Sequence, residues 1–286
     1  MKYIDLHVHS TASDGSLTPE EVVNLAVDSD LSAIALTDHD TTAGIKNAQE
    51  AARKATEKGH PIEVIPGIEI SAAYENKDIH ILGLMIDPEN DTLNKVIENA
   101  RLERDSRNEK MARNLRNAGI DITVEQMRQT EGDAVLTRAH FAKFMVEHGY
   151  VKTNQDAFNK YLNSDSPYYV PREYLNPEDA IHLIQEAGGL AILAHPFLYK
   201  YSLEGVEKLI SFLIERSLDG IEVMHSSNTG FDEGRLLHFA NKYNLAISGG
   251  SDFHGTAKPD VKIGIGKGNL RIPYTFLENL KERLKK

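Results

Sequence analysis

The stretch that decides the fold is YIDLHVHSTASDGSLTPEEVVNLAVDSDLSAIALTD, residues 3–38. It contains two short apolar runs, YIDLHV (3–8) and SAIALTD (32–38). Between them lies a segment, about 19–28, whose apolar residues recur with the period of a helix. Thr18 precedes this segment as the expected N-cap, and a proline occupies its first turn. The order strand, helix, strand predicts a parallel sheet with helical crossovers.

The same alternation continues toward the C-terminus. A second helix is predicted over about residues 42–57. Five more apolar runs are predicted as strands, near residues 62–66, 79–86, 190–194, 219–223 and 246–250. Seven strands with helical crossovers are typical of a parallel α/β barrel.

The pattern changes to charged helices between residues 101 and 170, where RLERDSRNEKMARNLRNAG and TRAHFAKFMVEHG each end in glycine. We interpret this part as a small helical insertion that contributes to the substrate site. The run SDSPYYVPREYLNP then leads back into the barrel. The predicted organisation is a first part of the barrel over 1–100, the insertion over 101–170 and a second part of the barrel over 171–286.

Composition limits the classes of partner. The chain has 286 residues, of which 41% are hydrophobic, enough for one large domain with a buried core. Its formal charge of −11 argues against an extended grip on duplex DNA but leaves small or short anionic substrates open. The N-terminus enters a strand without a signal sequence, and no apolar run reaches transmembrane length. We therefore expect a cytoplasmic protein without a membrane partner, and the sequence makes no prediction of its oligomeric state.

The chain has no cysteine, which restricts its metal chemistry. Disulfides, thiolate zinc sites and iron–sulfur clusters are excluded. Any metal ligand must be an imidazole nitrogen or an oxygen, and such ligands suit manganese, iron, zinc or magnesium.

Six of the twelve histidines and three carboxylates lie in short clusters at the predicted ends of strands: His7, His9, Asp14, His39, Glu69, His80, His195, Asp252 and His254. His7 and His9 are two apart and project to one face of a strand, and Asp252 and His254 repeat that spacing after the last strand. In a parallel barrel the first and last strands are neighbours, and all carboxyl ends open on one rim. Nine such donors are too many for one ion, so the pattern predicts a multinuclear hydrolytic centre.

Taken singly, each of these residues has an ordinary structural explanation. A histidine at a strand end is more often a hydrogen-bonded structural residue, and His195 before Pro196 can close a turn. Asp14 and Asp38 can act as turn or helix-cap carboxylates. The metal interpretation depends on all nine residues falling on a single predicted rim.

The order and context of six motifs resemble the PHP (polymerase and histidinol phosphatase) family of metal-dependent phosphoesterases. The motifs are LHVHSTASDGSLTPEE, ALTDHDT, PGIEIS, IHILGL, LAHP and GGSDFHG, and the resemblance covers essentially the whole chain. Small stand-alone members, which include a nucleoside 3',5'-bisphosphate phosphatase, also carry an Arg-x-His-Phe-Ala element, matched here by residues 138–142. The sequence is more similar to this branch than to the others.

The resemblance implies a distorted (β/α)7 TIM-like barrel with three divalent ions, for which manganese is expected and iron, zinc or magnesium are alternatives. The first ion would take His7, His9, Glu69 and Asp252, the second would take Glu69, His80 and His195, and the third would take Asp14, His39 and His254. Glu69 would then bridge two ions around a water that becomes hydroxide, and His80 and His195 would orient it.

The same resemblance implies that Arg138 and His140 bind the phosphoryl oxygens and stabilise charge on the leaving group. Thr137 can cap the helix that starts at Arg138, which would present the helix N-terminus to a phosphate. The alternative is a solvated helix that packs on the barrel, with Arg138 in a surface ion pair. His225 is either a substrate-binding residue or an ordinary loop residue.

A row of basic residues spaced three apart occupies the first inserted helix: Arg101, Arg104, Arg107, Lys110, Arg113 and Arg116. Because this spacing drifts around a helix, we interpret the row as a solvated surface with ordinary i,i+4 ion pairs. The alternative is that Arg104 or Arg107 reaches a second phosphate or a short RNA.

The predicted function is a metal-dependent phosphoesterase that removes phosphate from a nucleotide, with the 3'-phosphate of a nucleoside 3',5'-bisphosphate as the first choice. Alternatives are 5'-3' trimming of short RNA and hydrolysis of AMP or histidinol phosphate. A non-catalytic metal-binding module is the alternative from a different class. The expected partner is a nucleotide or a short oligonucleotide.

Overall fold

The computed structural model describes residues 2–75, 77–171 and 175–285. Its strands are β1 (Tyr3–Val8), β2 (Leu31–Leu36), β3 (Glu63–Tyr74), β4 (Lys77–Leu84), β5 (Leu190–Leu193), β6 (Gly220–His225), β7 (Ala246–Gly250) and β8 (Ile272–Pro273). Its α-helices are α1 (Pro19–Asp28), α2 (Ile45–Glu57), α3 (Asp91–Asn117), α4 (Val124–Glu131), α5 (Arg138–Glu147), α6 (Asn154–Ala157), α7 (Pro177–Glu186), α8 (Leu203–Ile214), α9 (Gly230–Tyr243) and α10 (Thr275–Leu284). Within those described ranges, no helix combines the length and the apolar character needed to cross a bilayer.

The strands form one sheet in the order β7-β6-β5-β4-β3-β2-β1-β8, which curls into a nearly closed barrel. The predicted α/β barrel is confirmed, but the prediction that all its strands are parallel is wrong. β4 runs antiparallel to both β3 and β5, because β3 and β4 form a hairpin in which Tyr74 is paired with Lys77. A crossover helix needs a dozen or more residues, so this short connection can only reverse the chain. β8, which the sequence did not predict, pairs antiparallel with β1.

The first and last strands of the predicted set meet, as expected for a barrel. The amide of Asp252 donates to the carbonyl of His7 at 2.9 Å, and the amide of His9 donates to the carbonyl of Phe253 at 2.9 Å. A parallel bridge joins Val8 to Phe253. The motifs from the two ends of the chain therefore lie side by side at one rim.

Helix starts follow the capping signals in the sequence. Thr18 accepts from the amide of Glu21, and the Glu21 side chain accepts from the amide of Thr18, which completes a capping box on α1. Asn176 caps α7 through the amide of Asp179. The predicted start of α1 is confirmed. Residues 172–174, which belong to the predicted return into the barrel, lie outside the described residues.

Alternation along the strands separates an outer apolar layer from the interior of the barrel. On β4, Ile79 and Ile81 pack in an outer cluster with α7 and α8, whereas Leu82 and Leu84 belong to the cluster inside the barrel. His80 therefore shares the inward face of β4 with these leucines. The same alternation governs which side chains of β3, β5 and β6 reach the rim from inside.

The helices α3 to α6 share a separate apolar cluster that includes Met111, Leu115, Ile122, Leu136, Phe141, Met145 and Leu162. Helix α3 begins at Asp91, before the predicted start of the insertion at residue 101. The domain boundaries at residues 100 and 170 remain a prediction.

Gly250 ends β7 where the first and last strands meet. A Cβ atom at this position would collide with the Cβ of His7 and would lie 2.5 Å from its amide nitrogen. Both atoms are fixed to the backbone of β1. They cannot move away without separating β1 from β7 at the seam, the place where these two strands meet.

We expect Gly250→Ala to lower the free energy of unfolding by about 1–3 kcal/mol, because the added methyl overpacks the seam. Urea unfolding followed by circular dichroism measures the change.

Gly234→Ala is the matched control. Gly234 is exposed on α9 and has nothing within 4 Å of the added Cβ. This variant should be more stable by about 0.5–1 kcal/mol, since alanine favours the helix. If both variants show the same stability as the wild type, the seam is less tightly packed than described.

Candidate metal centre

The cluster is centred on Glu69, which projects inward from β3 and is 1% exposed. Its Oε2 lies 3.3 Å from His7 Nε2, 3.2 Å from His9 Nε2 and 3.1 Å from His39 Nδ1. Its Oε1 lies 2.8 Å from His80 Nδ1 and 2.9 Å from His195 Nε2. Five imidazoles thus face the two oxygens of one carboxylate. The sequence placed Glu69 after the third strand, but β3 is longer than predicted and Glu69 lies within it.

A second group of donors surrounds Asp14 in the loop after β1. Asp14 Oδ1 lies 3.2 Å from His254 Nε2, and Asp14 Oδ2 lies 3.8 Å from His39 Nε2. Asp38 shapes this loop, because its Oδ1 accepts from the amide of Ser10 at 2.8 Å and from the hydroxyl of Ser13 at 2.6 Å. Asp38 therefore stabilises the turn, which is the structural role that the sequence offered for it. Asp14, by contrast, faces the imidazoles.

Asp252 closes the cluster on the side of β7. Its Oδ1 lies 3.7 Å from His7 Nε2 and 3.5 Å from His9 Nε2. Its Oδ2 lies 2.6 Å from Lys258 Nζ, a residue that the sequence analysis missed. Lys258 places one positive charge directly beside this carboxylate. All nine predicted residues are thus brought together at one rim.

The arrangement fits divalent cations. Three groups have ligand atoms within 4.8 Å of one another: His9, Asp14, His39 and His254; His7, His9 and Glu69; and His39, Glu69 and His80. Among the residues that the structure describes, several of the buried donor atoms of these groups find no hydrogen-bond partner: His7 Nε2, His9 Nε2, His39 Nδ1 and Glu69 Oε2. Such orphaned atoms are costly in a protein interior unless a ligand satisfies them. Imidazole and carboxylate donors suit manganese, iron and zinc, and the assignment of each ligand to one of three ions remains a prediction.

The pKa values show how charge is balanced in this cluster. Burial opposes ionisation of Glu69, but the facing His39, His80 and His7 outweigh it and hold its pKa well below the usual range. Burial also opposes the charging of His7, yet Glu222 and Glu69 raise its pKa well above the usual value. Burial lowers the pKa of His39 to about 4. Glu69 is therefore ionised, and metal ligation would replace a proton on His7.

Helix α5 begins at the Asp14 side of the cluster. The Thr137 hydroxyl donates to Asp14 Oδ2 at 3.0 Å and also caps the helix through the amide of Ala139. His140 is buried, and its Nδ1 accepts from the amide of Thr137 at 2.9 Å, which completes a capping box. The predicted cap is confirmed. The part that His140 plays toward substrate remains a prediction, with its Nε2 lying 3.9 Å from Glu131.

Arg138 lies at the first position of α5 and reaches the barrel. Its guanidinium donates to Asp78 Oδ2 at 2.8 Å and lies over the ring of Tyr169 at 5.6 Å. Asp78 is two residues before His80 on β4, so both side chains project from the same face of that strand. Arg138 is consequently held beside the rim in a partly buried ion pair.

His225 lies at the end of β6 and is buried within the cluster. Its Nε2 lies 3.5 Å from Asp252 Oδ2, and its Nδ1 accepts from the amide of Ser227 at 3.1 Å. The ring is 5.5 Å from the ring of His195. His225 therefore touches a predicted metal ligand, and its part in substrate binding remains a prediction.

Two arginines of α3 are buried, so the interpretation of the basic row as a solvated surface is wrong for Arg104 and Arg107. Arg104 donates to Asp40 and to the hydroxyl of Ser71. Asp40 follows His39, and Ser71 lies two residues after Glu69, so this contact ties α3 to two segments of the centre. The burial arises because α3 packs over the rim rather than away from the barrel.

Two further buried acids on the strands, Asp5 on β1 and Glu222 on β6, were not predicted from the sequence. Asp5 accepts from the amide and hydroxyl of Ser251 and from the amide of Gly264. Glu222 contacts His7 and the backbone of His195. Both acids interrupt apolar strand segments, YIDLHV and GIEVMH, and an acid in such a run was the available signal.

Comparisons with known proteins add the family context. A model of the PHP domain matches residues 5–214. The 5'-3' exoribonuclease Rnm of Escherichia coli is 38% identical over 250 residues, 87% of this chain and 84% of that one. The 3',5'-nucleoside bisphosphate phosphatase of Chromobacterium violaceum is 36% identical over 265 residues, 92% of this chain and 91% of that one. The structure of a protein from Bifidobacterium adolescentis, assigned as a metal-dependent phosphoesterase, matches with a TM-score of 0.85 and 31% identity, covering 99% of this chain and 96% of that one.

Glu69→Gln tests the centre directly. We expect the variant to fold but to lose most of its stabilisation by added manganese. The neutral amide of glutamine cannot compensate the charge of the cations, and it offers one oxygen instead of two. For a ligand at a hundredfold excess over its Kd, the stabilisation of the wild type is about 2.7 kcal/mol, which a thermal melt resolves.

The control is Glu282→Gln, which neutralises an exposed acid on α10. Its response to manganese should equal that of the wild type. An equal response of Glu69→Gln would show that Glu69 does not bind the cations.

Proposed function

This chain belongs to the PHP domain family, as the resemblance predicted, and on that premise we propose that it hydrolyses the 3'-phosphate of nucleoside 3',5'-bisphosphates. Its family makes it a metal-dependent phosphoesterase and therefore a hydrolase. The observation that carries the proposal is the buried, ionised Glu69 with five imidazoles facing its two oxygens. A carboxylate that presents separate oxygens to separate groups of imidazoles suits a bridge between two cations.

We propose three divalent ions, with manganese as the metal. When bound, they would activate water for attack on phosphorus and neutralise charge on the phosphoryl oxygens. The residues of the chain would line two sides of the site. Glu69, His80 and His195 would form one side of the site, and Asp14 and His254 the other. A phosphate between these sides meets imidazoles and cations rather than water.

The substrate side is proposed to lie at the start of α5. Arg138 reaches the rim next to His80, through Asp78 on the same strand. Its planar guanidinium offers two parallel donors to a phosphate, and Asp78 holds that plane in place. The Thr137–Asp14 contact fixes the helix start beside the centre. Helix α5 therefore contributes a phosphate-binding group from the inserted part of the chain.

The second candidate is 5'-3' exonucleolytic cleavage of short RNA. The relative from Escherichia coli, at 38% identity, is named as such an enzyme and favours this candidate. A nucleoside 3',5'-bisphosphate and the first nucleotide of a 5'-phosphorylated RNA both carry a phosphoester on the 3' oxygen. The same residues serve either substrate, and the difference lies in whether the cleft admits a following nucleotide.

A panel of substrates decides between these candidates. With manganese added, we expect phosphate release from adenosine 3',5'-bisphosphate to exceed release from AMP and histidinol phosphate by at least about tenfold in kcat/KM, a difference of about 1.4 kcal/mol. A short 5'-phosphorylated RNA is followed in parallel by gel.

Faster turnover of the RNA than of the bisphosphate would make the exoribonuclease the better assignment. Manganese binding without turnover of any member of the panel would instead favour a non-catalytic metal-binding module.

Arg138→Ala should raise KM for the bisphosphate by about 10- to 100-fold, because a charge-assisted hydrogen bond of about 1.5–3 kcal/mol is lost. Steady-state kinetics measures the change, and elemental analysis should show the same metal content as in the wild type. Arg138→Lys should recover only part of the loss, since lysine lacks the planar fork.

Arg113→Ala is the control for the loss of a positive charge. Arg113 is exposed on α3, and its removal should leave KM unchanged. If the Arg138→Ala variant also keeps the KM of the wild type, Arg138 has only a structural role.

A further inference from the structure

Glu222 is a fully buried acid in the interior of the barrel. On β6 its neighbours Ile221 and Val223 pack in the outer apolar cluster, so Glu222 faces the opposite side. Its exposed fraction is 0%. A buried carboxylate is costly unless hydrogen bonds and positive charge compensate it. The contacts of its two oxygens therefore indicate why an acid is present at this position.

The first oxygen orients His7. Glu222 Oε1 lies 3.0 Å from His7 Nδ1. This contact keeps a proton on Nδ1, so the ring can offer its other nitrogen, Nε2, as a ligand. Nε2 lies 3.3 Å from Glu69 Oε2 and has no hydrogen-bond partner within the described part of the chain. A carboxylate behind a ligating histidine commonly fixes its tautomer and its ring orientation.

The second oxygen holds the backbone of His195. Glu222 Oε2 accepts from the amide of His195 at 2.8 Å. His195 has a φ of 27° and a ψ of 59°, a left-handed conformation that is unfavourable for a residue with a side chain. A hydrogen bond to a charged acceptor is stronger than one between neutral groups and can offset that strain. In this conformation His195 Nε2 lies 2.9 Å from Glu69 Oε1.

We infer that Glu222 is a positioning residue that couples the two sides of the metal centre, by fixing His7 against one oxygen of Glu69 and His195 against the other. The inference depends on the proposed metal centre but not on the substrate. His7 comes from β1 and His195 follows β5, and their rings stack with centroids 5.6 Å apart. One carboxylate on β6 contacts both residues, so it positions two histidines that would hold the cations.

The chemistry of Glu222→Gln makes the inference testable. The amide has one acceptor atom and one donor group, whereas both partners of Glu222 are donors. If the amide oxygen accepts from the His195 amide, its NH2 group faces His7 Nδ1 and favours the tautomer with a proton on Nε2. If it accepts from His7, the His195 amide loses its acceptor. In either case one of the two histidines is presented wrongly.

The experiment compares zinc-loaded wild type and Glu222→Gln. Competition with a chelator measures zinc affinity, and 1H–15N NMR of histidine rings detects the Nδ1-bound proton of His7. We expect zinc affinity to fall by about 10- to 100-fold in either orientation of the amide, and the protected Nδ1 proton signal to be lost where its NH2 group faces His7. Both measurements are made on folded protein without any substrate.

The matched control is Asp219→Asn. Asp219 lies just before β6 at the other end of the barrel, and its Oδ2 accepts from the amide of Ala191 on β5 at 2.9 Å. This variant removes the negative charge from a comparable contact between segments but should keep the zinc affinity of the wild type. A purely structural part for Glu222 predicts lower melting temperatures for both variants and unchanged zinc affinity for both.

The outcomes separate the two levels of the assignment. Glu222→Gln with the zinc affinity of the wild type and an intact Nδ1 proton would overturn the inference. Wild type that binds no zinc and no manganese would overturn the metal centre and the inference with it. Weakened zinc binding in the variant, together with no turnover of the bisphosphate by the wild type, would support the inference and remove only the proposed substrate.

Discussion

The whole rim depends on one interaction, the contact of a buried carboxylate with five imidazoles. Glu69 is ionised in a place where water cannot screen its charge. Such a charge is stable only with positive charge around it, supplied by protons on imidazoles or by divalent cations. The ligands come from several strands and loops of the barrel and meet at one rim.

The support for this contact comes mainly from other buried acids that hold the backbone. Asp38 holds the loop that carries Asp14, and Asp40 holds the amide of Ser71 next to Glu69. Asp5 holds the amide of Ser251. Each acid accepts from an amide close to a predicted ligand, so the ligand positions depend on the backbone rather than on flexible side chains. The left-handed conformations of Asp40, His195 and Asp252 show that the backbone is held away from its ordinary preferences at these points.

The helices α3 to α6 have their own apolar core, yet they are bonded to the centre at several points. Arg104 of α3 reaches Asp40, and Thr137 at the start of α5 reaches Asp14. These contacts place the start of α5 over the cluster. Helices α3 and α5 are therefore bonded directly to the segments that carry the predicted metal ligands.

The sequence by itself determined the alternation of strands and helices, the capped starts of α1 and α5, and the nine donors that meet at one rim. These features depend on local periods or spacings that the sequence shows directly, such as the two-residue spacing of His7 and His9. The tertiary structure alone decided the reversal of β4, the burial of Arg104 and the contact of Glu222 with His7 and His195. The physical reason is that side-chain alternation is the same in parallel and antiparallel strands, and that a buried charge is recognised only through partners that are distant in sequence.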